Sequence, residues 1–144
     1  MPEQSYLNWP FLEDSHRRLA DDFRTWADRE IAPLSEEEPR DELGLDALAR
    51  ELIKRLAAGG WLKYSVPAPW GGKYESLDVR ALCLMRETLA QYSGMADFSF
   101  VMQGLGSGPI SLFGSEEIRR KYLPDVSNGR RIAAFALSEI DSGS

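Results

Sequence analysis

One cysteine and one histidine are all that 144 residues contain, and each scarcity removes a class of chemistry. A lone Cys83 excludes an intrachain disulfide and any site built on several thiolates. It lies in the apolar run RALCLMRE, where a small buried hydrophobe is the expected role. His16 sits in the polar stretch EDSHRRLADD, so a surface position is expected, and a local histidine-based zinc site is excluded. No charged-then-apolar leader opens the sequence, and no apolar run approaches the roughly 20 residues of a membrane-spanning helix. A reduced, cytoplasmic protein is the expectation. The net charge of −6 is spread along the chain without a basic stripe, so neither nucleic acid nor membrane is expected as a partner. Gly104, Gly106 and Gly108 lack the G-x-G-x-x-G spacing, follow no strand and run into Pro109. Close packing or a helix break is expected there rather than a phosphate loop.

Against these absences, 43% of the residues are hydrophobic, enough for one globular core. Residues 1–12 carry aromatics without a period and read as an arm lying on the fold. From Asp14 the period turns helical, with Leu19, Phe23, Trp26, Ala27, Ile31 and Leu34 on one face. The acidic stretch PLSEEEPRDE that follows is expected to be a solvated charge run rather than a metal site. DALARELIKRLAAGGW predicts a second helix, with Asp46 as N-cap, Leu48, Leu52, Ile53 and Leu56 as its stripe, and Gly59-Gly60 as its end. The aromatic density of WLKYSVPAPWGGKYESLD predicts a packed connection.

Ser76 or Asp78 then caps a third helix, VRALCLMRETLAQY. It is apolar round most of its circumference and is expected to be the most buried, with Arg86 and Glu87 held in structural ion pairing. DFSFVMQGLGSGPISLFG forms a fourth helix. SEEIRRKYLPDVSNG forms a fifth, capped by Ser115, stopped by Pro124 and closed by the Asn128-Gly129 turn. At RRIAAFALSE the pattern changes to a short apolar run bounded by turns, which predicts a strand. A single strand needs a pairing partner, expected beyond Ser144 or on another chain. The fold class is therefore all-α: a bundle of about five helices over residues 14–123, ending in one strand whose partners lie outside it. Its core is expected at Leu19, Phe23, Leu52, Leu56, Leu82, Leu89 and Phe113.

The order of these helices, VPAPWGG, and above all LFGSEEIRRKYLPDVSNGRRIAAFALSE followed by a Gly-Ser pair resemble the N-terminal half of acyl-CoA dehydrogenases. The resemblance runs from about residue 14 to the last residue and is most specific from K-Y-L-P to G-S. It implies a helical domain over residues 1–130 and the start of a middle β-domain over residues 131–144, so that the terminal strand belongs to a following β-domain. It also implies FAD as cofactor, an acyl-CoA or other acyl-thioester substrate desaturated at its α and β carbons, and hydride transfer to flavin N5. An electron-transfer flavoprotein partner and a homo-oligomer, tetramer or dimer, come with it.

By position, the resemblance places Phe135, Leu137 and Ser138 beside the flavin, with Ser138 where the family usually carries a threonine. Gly143 and Ser144 fall at the cofactor phosphate, and Ser144 also on the thioester side. Phe98, Val101 and Leu105 match the helix face that forms part of the acyl pocket. Ile140-Asp141-Ser142 replaces the family's proline-containing turn, and PAPWGG lacks the family's glutamate. The family's catalytic glutamate lies beyond residue 144, so no catalytic residue is assigned here, neither Glu87 nor Glu139, no metal is expected, and the chain by itself is expected to be inactive. An acyl-CoA oxidase or flavin monooxygenase of the same fold shares these features. A stand-alone helical interaction module is the reading from a different class.

Overall fold

Five α-helices follow from the period of the apolar residues, and the computed structural model describes residues 5–36 and 38–141. Helix α1 (Asp14–Glu30) buries Leu19, Phe23, Trp26 and Ala27, the face set by steps of three and four. Helix α2 (Glu42–Ala58) buries Leu52, Ile53 and Leu56. It starts a turn earlier than the sequence suggests. Asp41, not Asp46, is its cap, accepting from the Gly44 N–H at 2.9 Å. Asp46 instead pairs with Arg50 at i, i+4 on the exposed side, a favoured helix-surface pair.

Helix α3 (Val79–Ala90) is capped by Asp78, whose carboxylate accepts from the N–H groups of Arg80 and Ala81. It packs against both α1 and α4 (Gly94–Phe113). One face, with Ala81, Leu84, Met85, Thr88 and Leu89, is buried. The opposite stripe of Val79, Cys83 and Arg86 is exposed. Cys83 is therefore not a core residue: a four-then-three spacing puts it on the solvent stripe although its neighbours in sequence are apolar. Arg86 does not pair with Glu87, because adjacent helical residues do not face each other. It reaches Asp97 of α4 through two hydrogen bonds of 2.8 Å, while Glu87 lies by Tyr6 of the N-terminal arm.

The sequence runs the fourth helix through Pro109 and stops the fifth at Pro124, and both prolines lie inside helices. Pro109 sits within α4, and Pro124 within α5 (Glu116–Ser127). Each removes a single N–H donor, and packing carries the helix past it. In α5 the flanking Leu123 and Val126 are buried in one cluster with Val66. Phe113 is 86% exposed rather than in the core. The buried face of α4 runs through Ala96, Ser99, Phe100, Gln103 and Ser107, which turns Phe113 outward. Leu82 is half-buried against the main cluster.

That cluster joins Phe23, Trp26 and Ile31 to α2, α3 and α4. Trp61, from the aromatic connection, seats its ring 4.8 Å from Phe23 and 5.7 Å from Trp26. The connection folds back on itself, with the Ala68 N–H bonded to the Tyr74 carbonyl at 2.7 Å. Gly72 is required there, since a Cβ would fall 1.6 Å from the Val66 carbonyl oxygen. The arm lies on the fold through Leu12, which is buried with Ala20 and Leu84.

His16 is only 3% exposed, not a surface residue. Its Nδ1 accepts from the Glu13 N–H at 3.1 Å and its Nε2 meets Asp78 Oδ2 at 2.9 Å. Of the acidic loop, Glu36 and Glu38 are described; Glu38 is exposed and accepts a hydrogen bond from the Ser93 hydroxyl. Residues 132–138 form neither helix nor strand. No strand occurs among the described residues: a ladder needs a second segment, and none among those residues pairs with 132–138.

Candidate functional site

Segment 130–141 leaves α5 through a turn locked by charge. Asp125 accepts from Arg130 and, at 3.0 Å, from Arg131, and the two guanidinium groups hold its carboxyl below the usual carboxylate range. The Arg131 N–H donates to the Asp125 carbonyl at 3.1 Å, and its guanidinium lies 5.3 Å from the centre of the Tyr122 ring. The chain then crosses α4 at Gly106. A Cβ on Gly106 would stand 2.7 Å from the Ala134 carbonyl oxygen and 2.8 Å from the Ala133 Cβ. The glycine series thus reflects close packing at one position; Gly104 and Gly108 have nothing within 4 Å of where a Cβ would be. Beside the crossing is a cleft of about 370 Å³ bounded by Ser107, Ile110, Tyr122, Val126 and Ile132.

The crossing is also pinned from inside. Gln103 is fully buried, and its Oε1 accepts the Ala133 N–H at 2.8 Å while its Nε2 donates to the Ser99 carbonyl at 3.0 Å. One turn on, the Ser107 hydroxyl reaches the Gln103 and Ser65 carbonyls. Beyond the crossing the chain is open. Phe135 is 43% and Leu137 73% exposed, and Ser138 is exposed as well. Among the described residues, the N–H groups from Ala134 to Leu137 have no hydrogen-bond acceptor.

The structure brings some of the expected site residues together. Leu105 adjoins the Gly106 crossing and continues an open apolar stripe along α4, with Phe98 seven residues before it and Leu112 seven after. Val101 is half-buried between Phe98 and Leu105. Gly143 and Ser144 lie outside the described residues. Gln103 and Asp125, which fix the segment, escape the sequence reading, whereas close packing was expected of the glycine series that holds Gly106. A lone amide inside the apolar run FVMQGLG is the signal that points to the first.

Such an open strip suits a flat, partly polar ligand. It offers two apolar side chains, one hydroxyl and consecutive free N–H donors, all on a backbone held at one end. Among the described residues, no helix is long and apolar enough to cross a membrane.

Residues 13–130 match the family model for the N-terminal domain of acyl-CoA dehydrogenases. A probable acyl-CoA dehydrogenase of Bacillus subtilis (strain 168) is 30% identical over 142 residues, covering 99% of this chain and 23% of the relative. An acyl-CoA dehydrogenase of the same organism is 34% identical over 123 residues, 84% of this chain and 31% of the relative. Among solved structures, an acyl-CoA dehydrogenase complexed with FAD from Bacillus anthracis superposes with a TM-score of 0.77 at 32% identity, over 92% of this chain and 22% of that one. The chain thus spans about a quarter to a third of the length of these relatives.

Proposed function

Because this chain belongs to the acyl-CoA dehydrogenase family, we propose that it forms the N-terminal helical domain, residues 1–130, and the first stretch of the β-domain, residues 131–144, of an FAD-dependent acyl-thioester dehydrogenase. The observation that carries the reading is segment 134–138, which runs free of helix and strand over α4, with N–H groups from Ala134 to Leu137 that have no acceptor among the described residues and an exposed Ser138. FAD, when bound, supplies an acceptor for the hydride that leaves the β carbon of an acyl thioester.

This chain's own part is binding and orientation. Phe135 and Leu137 offer apolar contact to a planar ring. The Ser138 hydroxyl and the free N–H groups can donate to ring oxygens and nitrogens, and such donors act most strongly where charge accumulates during the reaction. Gly143 and Ser144 would serve the phosphate, where a glycine permits close approach of backbone N–H groups to an anion. The stripe of Phe98, Val101 and Leu105 would receive the acyl chain, and its lack of polar groups suits an unsubstituted or aromatic acyl group. No residue here is assigned as the catalytic base: Glu87 lies by Tyr6, away from the segment, and Glu139 is left to solvent. Assembly as a tetramer or dimer and electron transfer to an electron-transfer flavoprotein complete the proposal.

Titration with FAD tests it. The full-length protein should bind FAD at one per chain and show a flavin absorption band; a folded full-length preparation that binds none overturns the reading.

A further inference from the structure

We propose that Gln103 is the positioning residue of the flavin-facing segment, a role that rests on the flavin reading above. Among the described residues it is one of the largest fully buried side chains and the only amide in that group. Burying an amide is unfavourable unless its groups are bonded, so its partners explain its presence. A backbone N–H can only donate, so the atom facing Ala133 must be the oxygen, and the amide orientation is fixed without ambiguity. Its nitrogen then reaches the Ser99 carbonyl one turn back in the same helix, which locks the side chain along α4.

Ala133 is thereby held to a rigid element two residues before Phe135 and five before Ser138. Gly106 sets how closely the segment can approach α4, and Gln103 sets where along the helix it crosses. Segment position and helix position are coupled through one hydrogen bond of 2.8 Å. Beyond it, the N–H groups from Ala134 to Leu137 have no acceptor among the described residues, so among those residues no further N–H hydrogen bond ties the strip to α4. Asn in place of Gln103 would fall one methylene short of Ala133.

Three variants of the full-length protein test this. Gln103→Met keeps the length and roughly the volume but has no amide. Gln103→Glu, kept as the neutral acid by burial, restores an acceptor for the Ala133 N–H and a donor to the Ser99 carbonyl. Ile31→Val, in the main core and away from the segment, gives a comparable mild loss of stability. Two readouts are taken well below the melting temperature: amide exchange of the peptide holding residues 131–137, and the FAD dissociation constant.

Gln103→Met should speed exchange at Ala133 and weaken FAD binding by about tenfold or more. Gln103→Glu should recover most of both, and Ile31→Val should change neither. Faster exchange with unchanged FAD affinity would reduce Gln103 to a structural anchor and overturn the positioning role. Unchanged exchange would overturn the anchor itself. If the parent protein binds no FAD, the flavin reading falls and the positioning role with it, while the exchange arm still decides whether Gln103 fixes the segment. If Gln103→Met does not fold, the comparison of Gln103→Glu with parent decides: equal exchange and affinity support the role, and a loss of both overturns the view that an acceptor is what matters.

Discussion

A single imidazole at His16 closes the start of α1 and braces the start of α3. The hydrogen bond that Nδ1 accepts from the Glu13 N–H places the ring proton on Nε2, facing Asp78. Burial alone would raise the Asp78 carboxyl. Hydrogen bonds from His16, from Arg80 and from the N–H groups of Ala81 and Arg80 outweigh it and hold the carboxyl at about 2, against an ordinary 3.8. A carboxyl depressed in the folded state contributes stability above about pH 4 and loses it as pH falls toward 2. The contribution is on the order of 1–2 kcal/mol. Asp78→Asn keeps a capping oxygen but not the charge. Its deficit against the parent, measured by urea unfolding, should be full at pH 7 and vanish near pH 2; a deficit that persists there would contradict this account. The sequence hides His16 because its neighbours are polar. Its partner is 62 residues away, and no local pattern encodes that contact.

At the scale of elements, helix faces were legible wherever the period was long, as in α1, because burial follows the geometry of the helix. What periodicity could not supply was the outcome of competition between packing and local signals. Pro124 reads as a stop, yet neighbouring contacts carry the helix through it. The strand expected at 130–139 shows the converse: local propensity is present, but a strand is a property of two segments. Three glycines of α4 put this to a measurement. Ala normally stabilises a helix relative to Gly by about 1 kcal/mol. Gly104→Ala and Gly108→Ala, with open space at each Cβ, should raise the unfolding midpoint. Gly106→Ala should lower it, because its Cβ meets the backbone of Ala134. A stabilising Gly106→Ala would mean that the crossing is not close. Leu89→Ala, fully buried in α3, should cost about 2–5 kcal/mol. Phe113→Ala should change stability by less than about 0.5 kcal/mol, and a large loss there would return Phe113 to the core.

For the whole molecule, the exit of the segment from the bundle was legible as far as a short motif carries it. K-Y-L-P, the turn and the Ala-Leu-Ser-Glu run mark where the segment leaves the bundle, and Phe135, Leu137 and Ser138 are exposed on it. What holds the segment, Gln103 beneath it and Asp125 behind it, belongs to tertiary structure and leaves only a faint trace in sequence. On the proposed function, Ser138→Ala removes one donor beside the hydride acceptor. It should slow flavin reduction about ten- to a hundredfold at full FAD occupancy, and an unchanged rate would remove Ser138 from that role. The most direct measurement is made on the FAD-loaded, full-length protein without oxygen, adding short-chain, medium-chain and aromatic acyl-CoA thioesters in turn while the flavin band is followed. The account predicts that at least one bleaches the band and yields the matching α,β-unsaturated thioester in equal amount. A fully loaded protein whose band none of them bleaches would contradict it.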